Sequence, residues 1–234
     1  MLMLLPLLLL TLHACRRIRF WQRMGMPLAA RRRYRIASAG LGGLILTAMA
    51  MQELLLLKAG LLTWQTGLPL HLCSLMGLLT LPMLWTRQPL LLNVSFFAGI
   101  PGAALALVFP AVVDTPWPRI TALAFDALHA GLVCAPLLPM AMGWRPEPGG
   151  AHGAWWTLLL AACVVSFVNG VTGANYLFLA GPVDGTPLVF LARWGSRVYR
   201  LLLMMLTTLV LTAEAALLHL LQRLRLQGRG VPMP

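Results

Sequence analysis

Charged residues are scarce in this chain, and acidic residues are the scarcest. Only 10% of its 234 residues are charged, six of them Asp or Glu, whereas hydrophobic residues make up 59%. Soluble domains carry roughly 25% charged residues. The chain therefore has too few polar groups to cover its outside against water, and its composition indicates a protein whose outer surface faces lipid.

Cysteine is also rare, and its four occurrences, Cys15, Cys73, Cys134 and Cys163, are widely spaced. No C-x-x-C pair occurs, and no cysteine has the spacing to a histidine that a zinc site needs. We therefore expect no metal and no cofactor. Each cysteine lies in or beside an apolar segment, where a thiol ordinarily serves as small apolar filler. Cys73 also admits a second interpretation, given below.

The net charge of +12 arises from basic residues clustered between apolar runs. This pattern is typical of the positive-inside rule, with attraction to anionic headgroups as a further effect. No aromatic-and-basic motif of a nucleic-acid-binding module accompanies it. We expect membrane lipids, and no nucleic acid, as partners; protein partners are not indicated.

Long apolar runs are what the chain has in abundance. A helix needs about 20 apolar residues to cross the hydrocarbon layer. The runs predict an all-α fold, a polytopic bundle of about seven helices in one membrane domain spanning 1–234, or six if the short first run does not span. The predicted helices cover about 1–15, 36–62, 68–85, 90–112, 120–142, 154–180 and 199–221.

The first run, 1–15, has the length of a signal peptide. A signal peptide carries its positive charge before the apolar run, but here the arginines follow it, in 16–35. We interpret the run as an uncleaved helix with its N-terminus outside. A start codon placed too far downstream, which would hide part of this helix, is the alternative.

The distribution of Lys and Arg predicts an orientation. Thirteen of the 18 basic residues fall on one side of the predicted helices, eight of them in 16–35. Seven helices with the N-terminus outside and the C-terminus inside satisfy the positive-inside rule. We interpret 16–35 as a topology signal on the anionic leaflet, with a specific lipid or partner site as the alternative.

Several polar side chains lie at membrane depth, where they are costly and usually face the interior of a bundle. From the assumed outer helix ends they lie roughly 8 to 16 Å deep, so four helices place polar groups in the outer half of the bilayer. The candidates are Glu53, His71, Cys73, Asp126, His129, Asn169, Asn175 and Tyr176.

Cys73 and His129 form a candidate catalytic pair. Pro69 suits a first helical turn, which places Cys73 near a helix N-terminus, where the dipole favours a thiolate. His71 is only two residues away and points to nearly the opposite face, so it is a poor base for Cys73. His129, on another helix, is the better base, and Asp126 shares its face and could orient it.

Structural roles explain the same residues as well. Cys73 would then be apolar filler. Asn169, Asn175 and Glu53 would join helices through hydrogen bonds. Asp126 would pair with a nearby arginine or lie near the membrane interface.

Four strings together resemble the YwaF-like family of bacterial integral membrane proteins, which is related to eukaryotic transmembrane protein 164. The resemblance covers most of the chain, about 36–200. The strings are LPLHLCSL at 68–75, FFAGIPGAALAL at 96–107, LHAGLV at 128–133 and NGVTGANYLFL at 169–179.

The resemblance implies a compact bundle of six or seven helices in the bacterial cytoplasmic (inner) membrane. It also implies a link to lipid acyl transfer, because a Cys and a His are the proposed pair in the eukaryotic relatives. Carried over by motif, that pair is Cys73 and His129. The acid late in the second helix is Glu53, and the Asn-Tyr pair is Asn175 and Tyr176.

The leading hypothesis is a lipid-directed acyltransferase or (thio)ester hydrolase. Cys73 would attack an acyl carbonyl, and His129, oriented by Asp126 or Glu53, would move the proton. A small transporter or channel and a non-catalytic membrane assembly factor are the alternatives, although the sequence shows neither internal repeats nor paired broken helices. The candidate oxyanion donors are Asn175 and His71.

Overall fold

The computed structural model describes residues 2–227, with side chains to 224; Met1 and 228–234, the end of the basic tail, lie outside the described residues. The predicted all-α bundle is confirmed, and no strand occurs in 2–227. The helices are α1 (Leu4–Arg23), α2 (Pro27–Lys58), α3 (Leu72–Thr86), α4 (Pro89–Val94), α5 (Ile100–Val108), α6 (Pro118–Cys134), α7 (Leu137–Ala141), α8 (Gly150–Thr172) and α9 (Ser196–Gln227).

Within residues 2–227, five helical segments are long and apolar enough to cross a membrane. The helix α3 is apolar but shorter, and α1, with its arginines, falls outside this set. With both included, the bundle has the seven helices predicted from the sequence. The five long segments are Pro27–Lys58, Pro89–Val108, Pro118–Ala141, Gly150–Thr172 and Ser196–Leu224.

The first two helices are longer than predicted, because the basic connection 16–35 is itself mostly helical. The helix α1 continues to Arg23, and α2 begins at Pro27 after a turn of three residues. Arginine is a good helix former, and proline suits the first helical turn with its fixed φ angle. Most of the arginines of this connection therefore project from helices.

Prolines interrupt two of the predicted helices. Ahead of Pro101 the backbone widens into a π-helical turn, Ser95–Gly99, between α4 and α5. Pro101 has no N–H to donate, and its ring would clash with a regular helix. The predicted helix 120–142 likewise breaks after Cys134, before Pro136, and resumes as α7.

The sixth helix ends earlier than predicted. It was expected to reach residue 180, but α8 stops at Thr172, where Gly173 takes a left-handed conformation (φ 71°). Glycine adopts this conformation without steric cost and commonly terminates helices. The GANYLF string therefore forms part of a connection, which we call the cap segment, residues 173–181.

The helix α2 lies at the centre of the bundle and packs against α1, α3 and α6. Two glycines permit the close approach: Gly77 of α3 faces Met49, and Gly131 of α6 faces Ile45. A Cβ atom at residue 131 would lie 2.5 Å from the Ile45 Cγ1 atom. Small residues at such contacts are typical of packing between membrane helices.

The outer faces of α8 and α9 are apolar and exposed. Phe167 and Val171 of α8 are 74% and 73% exposed, and Leu201 and Met205 of α9 are 62% and 66% exposed. Apolar surface of this extent is disfavoured in water and favoured against lipid tails. These faces mark the perimeter of the bundle.

Candidate functional site

Tyr176 is the anchor of the cap segment, and its side chain is fully buried. Its backbone exchanges two hydrogen bonds with the Asn169 side chain: Asn169 Nδ2 donates to the Tyr176 carbonyl (2.9 Å), and the Tyr176 N–H donates to Oδ1 (3.0 Å). The Tyr176 hydroxyl donates to the Trp64 carbonyl (3.0 Å) and accepts from the Leu68 N–H (2.8 Å). These bonds join the end of α8 to the connection between α2 and α3.

Two further side chains hold the cap segment. Asn175 closes a turn, because its Oδ1 accepts from the N–H groups of Ala180 (2.9 Å) and Gly181 (3.2 Å), and its Nδ2 donates to the Gly181 carbonyl (2.9 Å). From α9, the buried Tyr199 donates its hydroxyl to the Phe178 carbonyl (2.8 Å). The cap segment is therefore attached to α8, α9 and the connection before α3.

The cap segment also carries backbone strain. Leu177 and Phe178 both have positive φ angles, 55° and 56°. Bulky residues in this region cost roughly 1–3 kcal/mol each, and they persist where surrounding contacts over-determine the conformation. The hydrogen bonds of the neighbouring Asn175 and Tyr176 supply such contacts. This strained turn directs the Phe178 ring towards the start of α3.

His71 lies between two aromatic rings of the cap segment. The ring centroids of Tyr176 and Phe178 are each 5.1 Å from that of its imidazole. His71 has an extended backbone and is the N-cap residue of α3, so Cys73 lies in the first helical turn. Pro69, which was expected in that turn, precedes the helix. The Cys73 side chain is partly exposed and packs against the main core.

Glu53, in the last turns of α2, influences the same cluster. Tyr176 lies outside the membrane-spanning helices, and burial raises the pKa of its phenol. The hydrogen bond from the Leu68 N–H lowers this pKa, and the nearby Glu53 carboxylate raises it further. The phenol therefore stays protonated and remains the donor to Trp64. Glu53, His71 and Tyr176 are thus gathered at the end of the bundle where α3 begins.

His129 is buried in the middle of α6, with 5% of its surface exposed. Its Nδ1 lies 2.7 Å from the Phe125 carbonyl oxygen, and the two rings are in contact, with centroids 4.0 Å apart. Because a carbonyl only accepts, Nδ1 carries the proton, and Nε2 of the neutral ring keeps its lone pair. The imidazole is therefore held with Nε2 available as a base.

Asp126 makes a contact that the sequence did not indicate. Its Oδ2 accepts a hydrogen bond from the Leu2 backbone N–H at 3.0 Å, which joins α6 to the start of the chain. His129 Nδ1 donates its hydrogen bond to the Phe125 carbonyl. The sequence had suggested Asp126 or Glu53 as the acceptor of this bond.

The helices that carry Cys73 and His129 pack against the same stripe of α2. Gly77 faces Met49 and Gly131 faces Ile45, one turn apart on α2. Cys73 lies one turn before Gly77 and His129 two residues before Gly131. The backbones of Cys73 and His129 are therefore about 9 Å apart along the bundle axis. The His129 ring folds back over the preceding turn, onto Phe125, and this shortens the offset to about one turn, roughly 5 Å. Within residues 2–227, no hydrogen bond joins Cys73 to His129.

The predicted site residues therefore fall into two groups. The cap group surrounds the first turn of α3, and the α6 group lies deeper in the bundle. The cap group comprises Glu53, His71, Cys73, Asn169, Asn175 and Tyr176, and the α6 group comprises Asp126 and His129.

Sequence reasoning missed three contributors to this arrangement. Phe178 is the last residue of the GANYLF string and Tyr199 lies in the first turn of α9, so only their aromatic type offered a weak signal. The Phe125 carbonyl is a backbone group, so no pattern of side chains in the sequence could predict its bond to His129. Among the described residues no three His, Cys, Asp or Glu side chains are grouped to hold a metal ion, and the four cysteines are free thiols.

The bundle of long apolar helices, with polar groups gathered at one end, defines a multi-pass integral membrane protein. The family model described as the TMEM164 family matches residues 1–214, and the chain belongs to that family. No curated protein and no solved structure gives a significant match.

Proposed function

We propose that this protein transfers or hydrolyses acyl groups of membrane lipids, with Cys73 as the nucleophile and His129 as the general base. The observation that carries the proposal is the state of His129. Its Nδ1 is committed to the Phe125 carbonyl, so Nε2 is available on a helix that packs beside α3. A buried imidazole with a held Nδ1 and an available Nε2 is the arrangement of a general base.

The reaction divides into two steps. The Cys73 sulfur forms a bond with the acyl carbonyl carbon, and the ester C–O bond breaks. The thiol proton passes to His129 Nε2 and then to the departing lipid oxygen. In the second step an acceptor hydroxyl attacks the thioester, its proton passes to Nε2, and the sulfur leaves and regains a proton. Water in place of the acceptor gives hydrolysis.

Positions around Cys73 support this chemistry. The residue is partly exposed at the start of α3. The first turn of a helix offers free backbone N–H groups, which favour a developing oxyanion. The sequence resemblance implies the same chemistry, lipid acyl transfer, for this chain, which belongs to the TMEM164 family.

The membrane and the orientation belong to the same proposal. The bacterial cytoplasmic membrane, with the N-terminus outside, would place the cap segment and Cys73 in the outer leaflet half. Because the polar cap group gathers at one end of the bundle, it favours a pocket for a lipid over a continuous pore for a transported solute.

A thiol-reactive acyl probe tests the pair. The full-length protein is reconstituted in lipid and treated with a fatty-acyl chloroacetamide, with the exposed Cys163 replaced by serine to lower background labelling. We expect Cys73→Ala to abolish the remaining specific labelling and His129→Ala to slow it by at least about a hundredfold, as for loss of a general base.

The control is His152→Ala, which removes an exposed imidazole on α8. It should retain most of the labelling rate. Equal rates for the reference protein and His129→Ala, with both variants folded, would remove the assignment of His129 as the base.

A further inference from the structure

A pocket lined by arginines lies at the end of the bundle remote from Cys73. It has a volume of about 350 Å³, within the range of small-ligand pockets, roughly 300–1,000 Å³. One wall is α1, where residues 19, 22 and 23 share a face because they are three and four positions apart. The lining residues of this arginine pocket are Arg19, Gln22, Arg23, Met140, Ala141, Gly143 and Arg145.

The opposite wall is the turn that follows α7. Gly143 has a φ angle of 105° and reverses the chain there. Trp144 then packs its ring against Phe96, with centroids 6.2 Å apart, and Arg145 follows at the pocket. Gln22 donates to the Met142 sulfur at 3.8 Å, which joins the two walls. Residues more than a hundred positions apart thus form one pocket.

Its three arginines are exposed side chains that all carry positive charge. Within the described part of the chain, none of them forms an ion pair. Other arginines at this end are used differently: Arg33 stacks over Trp21 at 5.6 Å, and Arg87 over Tyr34 at 5.9 Å. Three guanidinium groups around one cavity repel each other unless an anion lies between them.

The chemistry of the lining selects the kind of anion. A guanidinium group offers a planar fork of N–H donors that matches the oxygens of a phosphate group. Several guanidinium groups around one pocket, with the Gln22 amide beside them, can bind a phosphate through several of its oxygens at once. Met140 and Ala141 supply an apolar floor, which suits a ligand with an adjoining apolar part.

The depth of the pocket indicates where that ligand comes from. It lies where α1 ends and α2 begins, whereas Cys73 lies level with Glu53 near the end of α2. About 26 residues of α2 separate these levels, or about 40 Å. The hydrocarbon layer is about 30 Å thick, so the pocket and Cys73 lie near opposite headgroup layers.

We infer that the arginine pocket binds the phosphate group of an anionic phospholipid headgroup, in the leaflet opposite to Cys73. The ligand is distinct from the acyl substrate, and the pocket does not depend on the proposed reaction. Soluble phosphate compounds share the same recognition chemistry, and a separate arm of the experiment distinguishes them.

The test uses the full-length protein in nanodiscs of phosphatidylcholine with a minor fraction of phosphatidic acid, and counts retained lipids by native mass spectrometry. The variant Arg19→Gln/Arg145→Gln removes one arginine from each wall. The matched control, Arg16→Gln/Arg17→Gln, removes the same charge from exposed positions of α1 that do not line the pocket. We expect the pocket variant to retain at least about tenfold less phosphatidic acid, and the control to retain it as the reference does.

The second arm adds inorganic phosphate or pyrophosphate to the same nanodiscs. We expect millimolar concentrations of either ion to leave the bound lipid in place. Displacement would instead assign the pocket to soluble phosphates and overturn the lipid as its ligand. An equal loss in the pocket variant and the control would show only general attraction to the membrane surface, and no loss in either would show no site; both results overturn the inference. Thermal unfolding of each variant checks that it is folded.

Discussion

Asn169 and Tyr176 are joined by two reciprocal hydrogen bonds, of 2.9 and 3.0 Å, between a side-chain amide and a peptide backbone. Beyond the end of α8, the Asn169 side-chain amide bonds to the Tyr176 backbone as a neighbouring backbone segment would. It thereby satisfies both polar groups of a residue that is fully buried. The conformation of the cap segment depends on this pair.

Replacement of Asn169 by alanine should destabilise the protein. The Tyr176 N–H would remain buried without a partner, at a cost of about 1–3 kcal/mol, and its carbonyl would keep only the longer bond from the Leu179 N–H (3.3 Å). We expect a clear fall in the thermal unfolding midpoint in detergent. The control is Gln65→Ala, which removes an exposed amide that donates to the Thr172 carbonyl at 2.8 Å. A similar fall for both variants would contradict the role of the buried pair.

Replacement of Tyr176 by phenylalanine should loosen the connection between α2 and α3 while it keeps the ring in place. The lost hydroxyl bonds to the Trp64 carbonyl and the Leu68 N–H. We expect faster amide hydrogen exchange in residues 61–71. Tyr34→Phe is the matched control, because that hydroxyl bonds to the Leu84 carbonyl at the other end of the bundle. Unchanged exchange in Tyr176→Phe would show that the two bonds of its hydroxyl do not hold this connection.

The backbone strain at Leu177 predicts an unusual response to glycine. Leu177 and Leu179 pack against the same small cluster, but only Leu177 has a positive φ angle. Glycine relieves left-handed strain at residue 177 and has none to relieve at residue 179. We therefore expect Leu177→Gly to cost less unfolding free energy than Leu179→Gly, by about 1–2 kcal/mol. Chemical denaturation of the two variants compares them, and equal losses would argue against strain.

Gly131 sets the approach of α6 to α2 and therefore the position of His129. Alanine at residue 131 would place its Cβ 2.5 Å from the Ile45 Cγ1 atom. Overpacking of this kind costs about 1–3 kcal/mol. We expect a lower unfolding midpoint and slower labelling of Cys73 by the acyl probe.

The control for this change is Gly40→Ala, because no atom lies within 4 Å of a Cβ there. It should be neutral or slightly stabilising, since alanine favours helix over glycine. With the second change Ile45→Ala, the loss in the double variant should be smaller than the sum of the two single losses, because the clashing atoms are gone. Additive losses in the double variant would show that this contact is not the cause.

Hydropathy alone predicted the helical bundle, because a run of about 20 apolar residues is a local property. The helix ends were harder to predict. The arginines after the first apolar run looked like a loop but continue α1, since arginine is compatible with a helix in the headgroup layer. Conversely, the GANYLF string looked like part of a helix, yet its first residue, Gly173, ends α8.

The candidate residues divide in the same way. The sequence predicted that polar side chains meet in one half of the bundle, and Glu53, His71 and Tyr176 do lie near one another at the start of α3. The partners of those side chains did not follow. The Phe125 carbonyl at His129 and the Leu2 N–H at Asp126 are backbone groups, and side-chain spacing cannot reveal them.

The sequence by itself determined the membrane class and the bundle of apolar helices, because both depend on residue type and local spacing. Only the tertiary structure decided the register between α2, α3 and α6, the strained cap segment over His71 and the convergence of Arg19 with Arg145. These depend on contacts between residues far apart in the chain, which packing and hydrogen bonding select after the helices have formed.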